Sequence, residues 1–309
     1  MDVRPEKIIM LHWAPNTEPL LSITCPTYNH EAFIADALDS FLAQRTSFAF
    51  EIVVNDDAST DGTAAIIADY AKRYPTIIKP IYQQENQFQQ GKFYSPELFK
   101  RAQGKYIAFC DGDDYWTDPH KLQTQVNFLE SNPDYVLTYH DALAFDENGP
   151  RGIQLLGKWR CDASSQDLLK ARPLSTLTTC FRNVLHELPI ELQQSPVVDI
   201  CWWSLLGAYG KGKFLGDIAP AAYRMHAGGL FSLRSNKKKL HMTLQTYANL
   251  ANYYNRLGNQ ALYEHFLMQV FGMALSAISP WRKLQALMQV ARNVSVNLGK
   301  RLLLQDSRG

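Results

Sequence analysis

The sequence predicts an α/β fold with a mixed, mostly parallel sheet and a C-terminal helical extension. In the first half, short apolar runs alternate with segments of helical periodicity, which is typical of a parallel sheet covered by helices. Polar clusters follow the apolar runs, where ligands bind in such sheets. Beyond Ser235 the spacing of apolar residues is helical, with breaks at Gly258 and Pro280.

The individual elements follow from length and periodicity. Apolar runs that end at polar or proline residues predict strands over residues 20–25, 51–55, 77–82 and 106–110. Apolar residues at three- and four-residue spacing predict helices over 32–42, 62–74 and 119–129. The second half is less regular, with strands expected over 135–145 and 175–181, a buried helix over 200–209 and extended chain over 214–225.

Composition and charge exclude several classes of protein. With 46% hydrophobic residues and 17 glycines among 309, the chain is neither disordered nor collagen-like. The net charge of +1 gives no sign of a nucleic-acid partner. Residues 235–309 contain ten basic and two acidic residues, a charge of +8 that leaves −7 for residues 1–234. This asymmetry predicts two domains, with the basic extension suited to an anionic membrane surface.

Cysteine usage and hydropathy bear on location. The five cysteines are widely spaced and form no C-x-x-C pair, which predicts reduced, mostly buried thiols. The amino terminus lacks the layout of a signal peptide. The longest weakly polar run, residues 266–280, is shorter than the roughly 20 apolar residues that span a bilayer. We therefore expect a cytoplasmic protein, soluble or peripheral on the inner membrane face.

Two acidic clusters are the strongest chemical signals. The segment 111–114 contains three carboxylates, which repel one another unless a cation or solvent relieves them. A divalent ion that also binds a diphosphate would explain this cluster, and a solvated turn that caps the next helix is the alternative. In the second cluster, Thr60 or Asp61 would cap a helix, whereas Asp56 and Asp57 suit hydrogen bonds to a base or ribose. The glycine patterns of dinucleotide folds and P-loops are absent from the sequence.

Three segments together resemble glycosyltransferase family 2, whose members are inverting enzymes of the Rossmann-like GT-A fold that use nucleotide sugars. They are Ile23–Asn29, Glu51–Thr63 and Gly104–Trp116, within a resemblance that covers residues 20–232. The resemblance implies a nucleotide-binding set of Thr27, Tyr28, Asn29, Glu31, Asp56, Asp57 and Asp111. It also implies that Asp113 binds Mg²⁺ or Mn²⁺. The resemblance further implies that Asp111 faces the nucleotide ribose or a metal-bound water. Many relatives have glutamate at this position.

An inverting transfer also needs a base that takes the proton of the acceptor hydroxyl. Asp199 lies among apolar and aromatic residues that would raise its pKa, so we expect it to be this base. The family has an acidic pair where this sequence has Val198 and Asp199. A helix N-cap is the alternative role of Asp199, and Asp217 is the second candidate for the base.

The segment 223–232 resembles one found in family members that build polysaccharides. The resemblance implies that His226 completes the metal shell or touches the diphosphate, and the other seven histidines have no supporting pattern. Aromatic rings suit sugar faces, although they more often fill cores. The expected contacts to sugar, acceptor or phosphate are Asp114, Trp116, Trp202, Arg224 and Ser232.

The extension contains two helical apolar stripes, over 240–254 and 284–291, and Arg282, Lys283 and Arg292 flank the second. These stripes suit either an anionic leaflet or packing on the catalytic domain. The resemblance implies that a hexosyl or N-acetylhexosaminyl group is transferred from a nucleotide sugar, with a UDP-sugar as the first expectation. The acceptor would be a saccharide or a lipid-linked molecule in cell-surface polysaccharide synthesis. The alternatives are a sugar nucleotidyltransferase, whose basic glycine-rich loop is missing from residues 26–30, and a non-catalytic carbohydrate-binding relative.

Overall fold

The computed structural model describes residues 4–15, 17–91, 95–226, 228–229, 235–279, 282 and 285. The strands are β1 (Leu21–Thr27), β2 (Phe50–Asp56), β3 (Ile78–Tyr82), β4 (Tyr106–Phe109), β5 (Tyr135–Tyr139), β6 (Ala142–Asp146), β7 (Gly149–Gln154), β8 (Cys180–Arg182), β9 (Lys211–Phe214) and β10 (Ala221–Arg224). The helices are α1 (Glu6–Ile9), α2 (Ile34–Leu42), α3 (Thr63–Arg73), α4 (Ser95–Arg101), α5 (Lys121–Ser131), α6 (Ser165–Leu169), α7 (Val198–Leu206), α8 (Asn236–Arg256) and α9 (Gln260–Ala277).

A central sheet orders its seven strands β3-β2-β1-β4-β8-β5-β9. The strands β3, β2, β1 and β4 pair in parallel, β8 runs antiparallel between β4 and β5, and β9 pairs in parallel with β5. A smaller sheet has the order β10-β6-β7, in which β10 is parallel and β7 antiparallel to β6. The predicted mixed, mostly parallel sheet is confirmed, and the carboxyl ends of β1, β2 and β4 share one edge.

The predicted strands and helices of the first half agree with the structure within a few residues. The predicted strand over 135–145 is wrong as a single element, because the chain breaks at His140 and Asp141 and continues in the other sheet. Asp141 stabilises the break: its carboxylate accepts the amide of Ala142 at 3.0 Å and pairs with Arg160 at 2.8 Å. The expected strand over 175–181 is mostly a 3₁₀ turn, and a turn separates β9 from β10.

Two apolar layers cover the faces of the central sheet. Side chains alternate along a strand, so Ile52 and Val54 of β2 enter one layer and Val53 enters the other. The first layer includes residues of α2, α3 and α5. The second includes α7 together with Leu250 of α8 and Phe266 of α9, both fully buried. The described part of the extension therefore packs on the sheet, while the division of the chain at residue 235 stays a prediction.

The far half of α9 presents apolar side chains to solvent. Leu267, Met268 and Phe271 are 41%, 65% and 54% exposed. None of the described helices is long and apolar enough to cross a bilayer. The second predicted stripe, over 284–291, lies outside the described residues except for Gln285.

Candidate active site

The loops that follow β1 and β2 are joined by hydrogen bonds. Asn29 adopts a left-handed φ of 54°, and its Oδ1 accepts the amide of Thr60 at 2.8 Å. Glu31 accepts the amide of Gly62 at 2.9 Å, and Gly62 rather than Thr60 or Asp61 is the cap residue of α3. The side chains of Asn29 and Glu31 thus hold two polar loops together at the edge of the sheet.

The carboxylates of Asp56 and Asp57 are buried beside these loops. Asp56 accepts a hydrogen bond from the hydroxyl of Ser59, and burial raises its pKa. Asp57 accepts the backbone amides of Gln87 and Phe88 at 2.8 and 3.1 Å, one on each oxygen. Asp57 therefore braces the loop after β3, and direct contact of either carboxylate with a nucleotide stays a prediction.

The acidic segment after β4 lies against the end of β1. A side chain at Gly112 would clash, because a Cβ atom there would lie 2.7 Å from the hydroxyl of Thr27. The hydroxyl of Thr27 is buried and has no hydrogen-bond partner among the described residues. Glycine thus allows Asp111 and Asp113 to approach the β1 loop closely.

Three side chains from distant segments form a candidate metal site. Nε2 of His226 lies 2.9 Å from Oδ2 of Asp113, and Nε2 of His30 lies 3.7 Å from the same oxygen. Their ligand atoms all lie within 4.8 Å of one another. His226, at the end of β10, and Asp113 come together as predicted. His30 was missed, and its position immediately after the β1 polar loop was the available signal.

The pKa values of Asp113 and His30 are both lowered. Burial opposes ionisation of Asp113, yet its hydrogen bond with His226 and its electrostatic interaction with His30 lower its pKa. Burial also lowers the pKa of His30. A carboxylate and two imidazoles are a donor set that fits a divalent transition metal. The residues present therefore fit the cofactor that the family resemblance implies.

Arg224 and Asp114 make hydrogen bonds next to the candidate metal site. Nε of Arg224 donates to the carbonyl of Asp113 at 2.9 Å, and its guanidinium pairs with Asp36 at 2.7 Å. Asp114 is 2% exposed and accepts the amide of Arg224 at 2.8 Å. Both side chains already have protein partners, and their contacts with sugar or phosphate stay a prediction.

The predictions for the two tryptophans are wrong. Trp116 is 1% exposed, and its indole donates to the carbonyl of Leu177 at 2.7 Å. Trp202 is 2% exposed and packs against Phe99 and Phe109. Both rings fill the core and have no face open to a sugar. Ser232 lies outside the described residues.

Asp199 occupies the first turn of α7, whose N-cap residue is Val197, and its role as the base stays a prediction. Burial raises the pKa of Asp199 to about 6. Burial, the charge of Asp113 and the charge of Asp199, in that order, raise the pKa of Asp111. The second candidate for the base, Asp217, lies in an exposed turn.

Helix α8 anchors the segment 195–199, hereafter the Asp199 loop. The hydroxyl of Thr246, which is fully buried, accepts the amide of Val197 at 3.2 Å. Asn249 donates to the hydroxyl of Ser195 at 3.0 Å. Tyr247 lies between these two residues in sequence, and its pKa is raised by burial and by Asp199. The sequence pattern does not indicate these anchors, because Thr246 and Asn249 lie within the helical stripe over 240–254, whose apolar spacing predicts helix packing.

The sheet order and the polar edge match the GT-A arrangement that the sequence predicts. Residues 22–188 match the family described as Glycosyl transferase family 2. The chain belongs to glycosyltransferase family 2. An uncharacterized protein of Mycobacterium tuberculosis is 36% identical over 217 residues, which are 68% of this chain and 60% of the relative. This chain therefore spans about 60% of the length of that relative.

Solved structures show the same fold. S. aureus TarS 1–349 in complex with UDP-GlcNAc superposes with a TM-score of 0.57 at 21% identity, over 80% of this chain and 71% of that chain. The mannosyltransferase PcManGT from Pyrobaculum calidifontis, in complex with GDP-Man and Mn²⁺, has a TM-score of 0.54 at 18% identity, over 96% and 83% of the two chains. The expected GT-A architecture is confirmed.

Proposed function

We propose that this protein is an inverting glycosyltransferase that uses a nucleotide sugar together with Mn²⁺ or Mg²⁺. UDP is the first nucleotide to test. One observation carries the proposal: Nε2 of His226 lies 2.9 Å from Oδ2 of Asp113, at the edge where the β1 and β4 strands end. Such edges are where α/β sheets bind ligands. Structures of the same fold were solved with UDP-GlcNAc and with GDP-Man and Mn²⁺, which supports a nucleotide sugar as donor.

The proposed reaction divides the work among three groups of residues. Asp113 and His226 would hold the divalent ion, which when bound would neutralise charge on the diphosphate leaving group. The loops after β1 and β2 bind the nucleoside. Asp199 takes the proton from the acceptor hydroxyl while that oxygen attacks the anomeric carbon and the bond to the diphosphate breaks. A pKa of about 6 leaves Asp199 ionised at neutral pH and still basic enough to accept a proton.

The acceptor in this proposal is a saccharide or a lipid-linked saccharide of cell-surface polysaccharide synthesis, and the transferred group is a hexose or N-acetylhexosamine. The exposed apolar side of α9 supports a location at a membrane surface. Six basic residues and one acidic residue follow Pro280 in the sequence, a composition that favours anionic headgroups.

A screen of UDP-, GDP- and dTDP-sugars by thermal shift, with and without Mn²⁺, tests the donor. We expect one class of nucleotide sugar to raise the melting temperature, more strongly with Mn²⁺. Turnover should release a nucleoside diphosphate, whereas pyrophosphate would indicate a nucleotidyltransferase. Binding of a sugar without nucleotide, metal or turnover would favour the non-catalytic alternative, and no binding of any nucleotide sugar would refute the proposal.

Flotation with liposomes of anionic and of neutral lipid tests the membrane surface. We expect the protein to float with the anionic vesicles, and the double substitution Met268→Ser with Phe271→Ser to reduce this binding severalfold. Leu257→Ser is the matched control, since Leu257 is also 53% exposed but lies at the end of α8. Equal flotation of the double variant and the control would refute a role for α9.

A further inference from the structure

We propose that His30 is a third protein ligand of the metal, so that two imidazoles and one carboxylate hold the ion and select Mn²⁺ over Mg²⁺. This inference rests on the proposed metal dependence, and it assigns a role to a residue that no motif indicated. It predicts a site that differs from an acidic motif with a single histidine in both ligand number and metal preference.

The distances fit coordination by all three side chains. Metal–ligand bonds of about 2.1 Å at right angles put neighbouring ligand atoms about 3 Å apart. The two imidazole nitrogens lie 2.9 and 3.7 Å from Oδ2 of Asp113, so the distance from His30 to Asp113 needs to shorten by a fraction of an ångström. The three ligand atoms all lie within 4.8 Å of one another, and the rings of His30 and His226 meet edge to face with centroids 5.9 Å apart.

The surroundings of His30 leave its ring without a strong protein partner. Its backbone amide donates to the hydroxyl of Thr63 at 2.8 Å, which fixes the residue in the loop. Nδ1 is buried with no hydrogen-bond partner among the described residues, and Nε2 is beyond hydrogen-bond distance of Asp113. Because no described residue lies within hydrogen-bond distance of Nε2, that nitrogen is available to bind a metal ion.

The donor set decides which metal binds best. Mg²⁺ prefers oxygen ligands and keeps several waters, whereas imidazole favours transition metals. One carboxylate with two imidazoles gives Mg²⁺ a single oxygen from the described protein ligands. We therefore expect Mn²⁺ to bind at least about tenfold more tightly than Mg²⁺.

Pulsed EPR of the full chain loaded with Mn²⁺ alone counts the coupled imidazole nitrogens directly. We expect two imidazoles in the wild type and one each in His30→Ala and His226→Ala. Calorimetry with Mn²⁺ and with Mg²⁺ should show that His30→Ala weakens Mn²⁺ by about 10- to 100-fold and Mg²⁺ much less. His120→Ala is the matched control, because His120 is exposed at the start of α5.

These experiments distinguish failure of the His30 assignment from failure of the proposed metal dependence. A single coupled imidazole in the wild type, or the same Mn²⁺ affinity in His30→Ala, overturns the role of His30 and leaves the metal site of Asp113 and His226 intact. Failure of the wild type to bind Mn²⁺, alone or with UDP, overturns the proposed metal dependence as well. A melting curve of each variant verifies that the fold is retained.

Discussion

The candidate metal site and the Asp199 loop are positioned in different ways. The metal site is built at the ends of β1, β4 and β10, so the register of two sheets sets the places of its three side chains. The Asp199 loop lies beyond residue 188, outside the residues that match the family, and side chains of α8 hold it. The position of the candidate metal site thus depends on strand pairing, while the position of the proposed base depends on helix α8, which follows it in sequence.

This difference has energetic consequences. The candidate metal ligands lie in loops that directly follow paired strands, whereas two side-chain hydrogen bonds, to Thr246 and from Asn249, hold the Asp199 loop. Each such bond contributes about 1 kcal/mol. Substitutions can therefore alter the position of the base without altering the metal site.

The largest expected effect is that of Asp199→Asn. Removing a general base lowers turnover by about 10²- to 10⁴-fold, because the acceptor hydroxyl then keeps its proton. Binding of donor nucleotide and Mn²⁺ should stay within about twofold, as Asp199 is not among the proposed metal ligands. Steady-state rates and calorimetry measure the two effects. Asp217→Asn is the control, and loss of activity in that variant instead would assign the base to Asp217.

Asp113→Asn should produce the opposite pattern. Loss of the carboxylate that both histidines face is expected to weaken Mn²⁺ by about 100-fold, and nucleotide binding with it. Excess Mn²⁺ should partly restore turnover in Asp113→Asn and not in Asp199→Asn. Equal Mn²⁺ affinity in the wild type and Asp113→Asn would contradict the assignment of the ligand.

The pH dependence of turnover should report Asp199. Because burial raises its pKa to about 6, the carboxylate is ionised above that pH and protonated below it. We expect kcat to fall about tenfold per unit as the pH drops below 6. The ionised form is also the less stable one in the fold, so Asp199→Asn should raise the melting temperature at pH 8 but not at pH 4. A flat profile between pH 5 and pH 8 would contradict both expectations.

The smallest expected effect is that of Thr246→Val, which removes the hydroxyl that accepts the amide of Val197. The cost to stability should be about 1 kcal/mol, with a severalfold loss in kcat and an unchanged KM for the donor. Thr246→Ser should restore kcat. Tyr254→Phe on the same helix is the control, since it loses a 2.8 Å hydrogen bond to Ser204 away from the Asp199 loop. Equal losses of kcat in both variants would show that stability alone matters.

Periodicity predicted the first half of the fold well, because apolar alternation and helix spacing there reflect one uniform layer arrangement. It failed at His140 and Asp141, where the apolar run continues through a change of sheet. Burial is the same on both sides of that break, since Tyr139 and Ala142 are both fully buried. Local pattern therefore cannot reveal a turn that a single carboxylate stabilises.

Some residues of the candidate site could likewise be predicted from the sequence, and others could not. Asp113 and His226 could be predicted because a known arrangement of acidic and histidine residues points to them. Asp114, Trp116 and Trp202 could not be placed correctly, since a polar or aromatic residue next to a ligand has the same sequence signature whether it faces the ligand or the core. The roles of His30 and Thr246 depend on contacts between residues far apart in the chain.

The distance along the chain between the metal ligands has one more consequence. Asp113 and His226 are separated by 113 residues and belong to different sheets, so an ion bound to both would act as a cross-link that closes a long loop. Such a cross-link lowers the population of states in which the small sheet detaches, in proportion to the affinity of the ion. Amide exchange along β10 should therefore slow when Mn²⁺ is added, before any substrate is present.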